Sequence, residues 1–408
     1  MNACASITST PFFAVGFDTH IADTIAELST AAFPDGLRSV VLTGSLARGE
    51  GTWIREDACV RLAGDADVFA IFDGRAALPS AECVTQLQNL IEDRLRREGV
   101  EAHIGLSPVR SDYLRRLQPN IFSYELTTHA KVVWGDQNIL KLAPAFTAAD
   151  IPLEDGVRLL MNRMIELLEA VCEVDPPVTN APAVRYRAIK LQLDMATSYL
   201  LFQRNYVPTY RGRAARLSEL AAEPSNTAPI PLPRFAKTVL EATRCKLSEF
   251  IEMREFADLD TLIDDAHSLW RWELECLTGT SASDTDLLDR WIVAEPIPAR
   301  MRGWAGVAMR SGAARAIVRM PKWIAIARKG SPRRLIYAAA SELLFALPGL
   351  LEEDAMHGGN SRWDKLRNGL PITASPENSE KSNSLHEWRH LGRAISFNYN
   401  FFLAPTRT

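Results

Sequence analysis

The apolar residues of this chain change their period partway along it, and that change limits the folds open to it. Between residues 18 and 106 helical spacing alternates with short apolar runs, whereas beyond residue 150 only helical spacing remains. In DTHIADTIAELSTAAF (18–33), Ile21, Ile25, Leu28 and Phe33 recur at near-helical spacing after Asp18, which suits an N-cap. Pro34-Asp35-Gly36 breaks that helix, and Ser39-Val40-Val41-Leu42 reads as a buried strand ending at Thr43-Gly44-Ser45. Val68 to Phe72 is a second strand. Residues 82–98 read as a helix with Val84, Leu87, Leu90, Ile91 and Leu95 buried, and Val100 to Leu106 as a third strand. The pattern predicts an α+β protein, with a small mixed-sheet domain over 1–145 followed by a mostly α-helical C-terminal region.

That second part opens with amphipathic helices over 155–173 and 183–204, separated by a Pro/Asn-rich break at 176–182. On the second helix Tyr186, Lys190, Asp194 and Ser198 form a polar stripe in which Lys190 and Asp194 read as a surface pair. We expect a helical domain over 150–290, a basic helical region over 291–355 and a tail over 356–408, mostly irregular apart from a short helix near 384–395. At 408 residues, two or three domains are anticipated.

The chemistry gathers at strand ends. Asp65 and Asp67 alternate ahead of an apolar run, so both carboxylates point to one face. Two carboxylates that close repel unless a cation neutralises them, and oxygen-only ligands suit Mg²⁺ shared with phosphates. Gly44-Ser45 supplies backbone N–H groups and a hydroxyl where a phosphate can approach closely. Read blandly, the first is a solvated strand entrance and the second an ordinary turn; together they describe a phosphoryl-transfer site.

LTGSLARGE (42–50) followed by GDADVFAIF (64–72) resembles the Gly-Ser and Asp-x-Asp signature of DNA polymerase β-like nucleotidyltransferases, aminoglycoside nucleotidyltransferases among them. The resemblance covers about residues 20–136 and ends at YELTTHAKVVWGD (124–136). It implies transfer of a nucleoside monophosphate from a nucleoside triphosphate, ATP first, to a hydroxyl of a small-molecule or saccharide acceptor. It further implies Mg²⁺ on Asp65, Asp67 and a third carboxylate, for which Glu101 is the candidate and His103 the rival. Gly44, Ser45, Arg48 and Lys190 are the expected nucleotide contacts. The stretch from Glu50 to Ala63 is longer than in the family and reads as a loop insertion. A non-catalytic binding or regulatory module of the same fold is the competing reading.

Composition narrows the setting. The chain is 47% hydrophobic and 24% charged with net charge −4, which suits a folded protein rather than a disordered one. Its six cysteines lie far apart with no CxxC pair, favouring neither zinc nor a disulfide framework and fitting a reducing cytoplasm. No secretory signal and no membrane-spanning run are expected. Arg300 to Arg334 holds ten basic residues, with no acidic residue between Glu295 and Glu342. Mixed with Trp304, Trp323, Ile324 and Ile326, it suits a membrane surface or lipid-linked substrate; nucleic acid ranks lower, and a basic face packed near the acidic site is the plain alternative.

Overall fold

The computed structural model describes residues 13–55, 59–174, 181–223, 228–248, 258–352, 360–372 and 384–403. The chain divides into two compact units, the first comprising Met1–Pro152 with the short later segments Tyr206–Arg216 and Thr243–Glu252. The second comprises Leu153–Asn205, Leu217–Ala242 and Met253–Thr408. Among the described residues no helix is long and apolar enough to cross a membrane. Cys59, Cys83, Cys172, Cys245 and Cys276 carry no disulfide, and Cys4 lies outside the described residues.

The first unit runs α1 (Phe13–Ala32), β1 (Leu37–Leu42), α2 (Gly44–Ala47), β2 (Trp53–Arg55), β3 (Val60–Phe72), α3 (Ala81–Arg97), β4 (Val100–Arg110), α4 (Ser111–Arg115), α5 (Ile121–His129) and β5 (Lys131–Gly135). The sheet order is β2-β3-β1-β5, with β4 also paired to β3. β3 and β4 run parallel and the other pairs antiparallel, so the sheet is mixed. Alternation along β3 sorts its side chains. Ala66, Val68, Ala70 and Phe72 pack with Ile21 and Ile25 of α1 and Leu87, Ile91 and Leu95 of α3. Phe69 and Ile71 pack on the opposite face with Leu114 of α4 and Leu126 of α5.

Three sequence expectations change here. The stretch expected as a loop insertion over 50–63 carries β2 and the first residues of β3, because Trp53 and Leu62 face each other across the pair and are buried. Leu90 is 49% exposed, since the row Leu87–Ile91–Leu95 sets the buried face of α3 and leaves Leu90 on its flank. Asp18 lies inside α1 rather than at its start; burial pushes its carboxyl up to about 6, opposed by the Lys131 charge and a hydrogen bond from Trp53.

The second unit centres on α6 (Leu153–Glu173), which packs against α7 (Pro182–Phe202). After α8 (Tyr210–Ala221) and α9 (Leu232–Leu247) come α10 (Leu259–Thr278), α11 (Asp284–Val293), α12 (Ile297–Ser311), α13 (Ala313–Ala327) and α14 (Pro332–Phe345). The chain continues through α15 (Leu347–Glu352), α16 (Asn360–Gly369) and α17 (Ser384–Phe402). The expected irregular tail therefore contains a nineteen-residue core helix, whose Trp388, Leu391, Ile395 and Tyr399 are fully buried. Lys190 and Asp194 are not a surface pair: Asp194 is buried and bonded to Arg163, which also holds Glu166.

Candidate functional site

Asp65 and Asp67 are both exposed on one face of β3, just before the stretch that α4 and α5 cover. The Asp67 carboxylate occupies a slot made by two glycines. A Cβ on Gly44 would lie 2.8 Å from Asp67 Oδ2, and one on Gly105 of β4 would lie 3.1 Å from Oδ1. Gly44 has φ +71, a conformation that a residue with a side chain rarely adopts, and its turn is tied down where Thr43 N donates to Asp67 O at 2.9 Å. The Gly44–Ser45 turn and the Asp pair are therefore contiguous. Gly105 carried a readable signal, since glycine inside a strand often marks a close approach.

The register of β3 against β4 places the other candidates. Asp65 stands opposite His103 and Asp67 opposite Gly105, while Glu101 stands opposite Arg61. An irregularity between Arg61 and Asp65 lets β3 advance further than β4 over the same span, which carries Glu101 away from the acidic pair. Among the described residues no three His, Cys, Asp or Glu side chains gather as a metal-binding group, so Asp65, Asp67 and Glu101 do not form one. His103 is held by a residue that sequence reasoning missed: its Nδ1 lies 2.9 Å from Glu92 Oε1, which also accepts from Ile104 N. Helical spacing makes Glu92 look like a solvated α3 position, and nothing local connects it to β4.

Arg48, expected at a phosphate, is enclosed. Its side chain is 6% exposed and its guanidinium binds Glu125 and Glu50. Burial would drive its proton off, yet Glu125 above all holds the guanidinium charged. Glu125 also accepts from Tyr206 OH and Arg213 Nη2, each at 2.6 Å. Glu50 is buried and takes the N–H groups of Tyr210 and Arg211, capping α8 from a distant part of the chain. Lys246 Nζ donates to Thr52 Oγ1 at 2.8 Å and lies over the Tyr210 ring, as do the guanidinium groups of Arg48 and Arg213. These contacts anchor the segment behind Gly44–Ser45. Lys190 belongs to the second unit, where its Nζ lies 3.7 Å from Glu166 and over the Tyr186 ring. Compared with known proteins, the chain matches no family model and no curated relative.

Proposed function

We propose that the first unit is a nucleotidyltransferase: it binds a nucleoside triphosphate, ATP first, and moves the nucleoside monophosphate to a hydroxyl of a small molecule or saccharide. One observation carries the reading, the Asp67 carboxylate seated against the Gly44–Ser45 turn with Asp65 exposed beside it. The donor set fits Mg²⁺, which binds through one or two carboxylates and completes its octahedron with phosphate oxygens and water. Asp65 and Asp67 would hold it, and when bound it neutralises charge on the phosphates.

The chain's own groups do the rest. N–H groups of the turn and the Ser45 hydroxyl orient the β- and γ-phosphates, and the acceptor oxygen attacks the α-phosphorus in line. The new O–P bond forms as the bond to the β-phosphate breaks, and pyrophosphate leaves with that electron pair. The acceptor proton passes to a base on β4. His103 suits this better than Glu101, because it stands opposite Asp65 and Glu92 engages its Nδ1, leaving Nε2 to take the proton.

Incubation with labelled ATP, Mg²⁺ and a panel of hydroxylated acceptors, read as pyrophosphate release, tests the proposal. Asp67→Asn should lower release by roughly 100-fold or more with the melting temperature nearly unchanged; an active variant rejects the scheme. A second reading, a non-catalytic module, draws on Gly105 standing where a third carboxylate could face Asp67. Calorimetric binding of Mg-ATP with no turnover on any acceptor would favour it.

A further inference from the structure

The two helices α12 and α13 are built inside out. Among the described residues, eight of the twelve exposed large hydrophobic side chains lie between Val293 and Ile324. On α12 the row Ile297–Met301–Ala305–Met309, at i, i+4 spacing, is exposed throughout, with Ile297 at 68% and Met309 at 82%. On α13, Ile317, Pro321 and Ile324 recur at helical spacing and are exposed, flanked by Val318 and Met320. The tryptophans face the other way. Trp304 and Trp323 are buried against each other, with Nε1 bonded to the carbonyls of Gly330 and Pro371 respectively. Each helix thus spends its aromatic bulk on the unit's core and turns its flexible aliphatics to solvent.

Charge says what covers this face. Arg302, Arg310, Arg315, Arg328 and Lys329 are exposed around it, and no acidic residue occurs within α12 or α13. Not every cation of the region is available, since Arg334 is buried, stacked on Trp291 and paired with Glu154. A nucleic acid offers phosphates but no acyl chain for a row of Ile and Met. An identical copy would bring a second basic rim against the first. An anionic bilayer supplies both halves, with negative headgroups at the rim and hydrocarbon beneath. Each helix has fifteen residues, roughly 22 Å at 1.5 Å per residue, short of the ~30 Å hydrocarbon core; such helices lie along the interface rather than cross it.

We infer that α12 and α13 form a docking surface for an anionic lipid bilayer, with Ile297, Met301, Met309, Ile317 and Ile324 entering the headgroup boundary. This rests on the second unit alone and stands independently of the nucleotidyltransferase reading. The test is co-sedimentation of the full chain with vesicles of phosphatidylglycerol and phosphatidylcholine mixed equally, beside vesicles of phosphatidylcholine only. Wild-type chain should bind the mixed vesicles at least tenfold better, and less so in high salt. The variant Met301→Glu/Ile317→Glu/Ile324→Glu should lose at least tenfold in binding with its melting temperature kept, because all three side chains are exposed. Arg302→Gln/Arg315→Gln/Lys329→Gln should lose the preference for the anionic lipid. Absence of vesicle binding overturns the inference. So does undiminished binding by the Glu variant, or a wild-type dimer in light scattering that this variant splits while neither form binds vesicles.

Discussion

Gly44 is the residue on which the site turns. Its φ of +71 already disfavours any side chain, and a Cβ would press on Asp67 Oδ2 at 2.8 Å. Gly44→Ala should cost about 1–2 kcal/mol in stability from backbone strain, and should weaken Mg-ATP binding in calorimetry by displacing the Asp67 carboxylate. Unchanged binding would mean that the slot between Gly44 and Gly105 is only packing. The Asp pair and the Gly-Ser turn were legible in the sequence because each is a matter of neighbours within four residues. Gly105 signalled a close approach but not its partner, and Glu92 signalled nothing, since which β4 residue faces which β3 residue depends on the irregularity between Arg61 and Asp65.

At the scale of elements, the connection between α2, α5 and the start of α8 is electrostatic. Arg48 and Glu50 follow α2, Glu125 lies on α5, and Arg213 lies on α8; all four side chains are largely or fully buried. A buried ion pair gains little over apolar packing, but removing one partner strands the others in a poorly polarisable interior. Glu125→Gln leaves two guanidinium groups short of a counter-charge and should destabilise the first unit by roughly 3–5 kcal/mol, measured by denaturant unfolding. A change below 1 kcal/mol, within the range of an exposed pair, would contradict the enclosure of the network. The roles of Arg48 and Glu50 escaped sequence reading because their partners lie as many as 161 residues away.

For the molecule as a whole, one carboxyl sets a pH dependence of stability. Glu273 of α10 is fully buried, and its carboxyl is pushed up to about 8 by that burial, with Ser198 of α7 alone opposing the shift. A carboxyl whose folded pKa exceeds the ordinary 4.5 contributes its full stability below that value and loses it as pH rises through about 8. Wild-type chain should therefore lose melting temperature from pH 5 to pH 9 relative to Glu273→Gln, with a gap of roughly several degrees at the alkaline end. Parallel pH curves for the two proteins would contradict the burial of a protonated carboxyl.

The sequence by itself determined the clear periods: where β1 lies, where α3, α6 and α7 run, and that Asp65 and Asp67 share a face. Those follow from covalent geometry that repeats every two or 3.6 residues whatever the surroundings. Only the tertiary structure decided that His103 rather than Glu101 faces Asp65, that Arg48 is enclosed by Glu50 and Glu125, and that Trp304 and Trp323 turn inward while Ile317 and Ile324 face solvent. Each of these is a choice between faces or partners that local propensity leaves equal. Contacts between residues far apart in the chain break the tie, because burial and pairing energies are summed over neighbours that only the folded chain brings together.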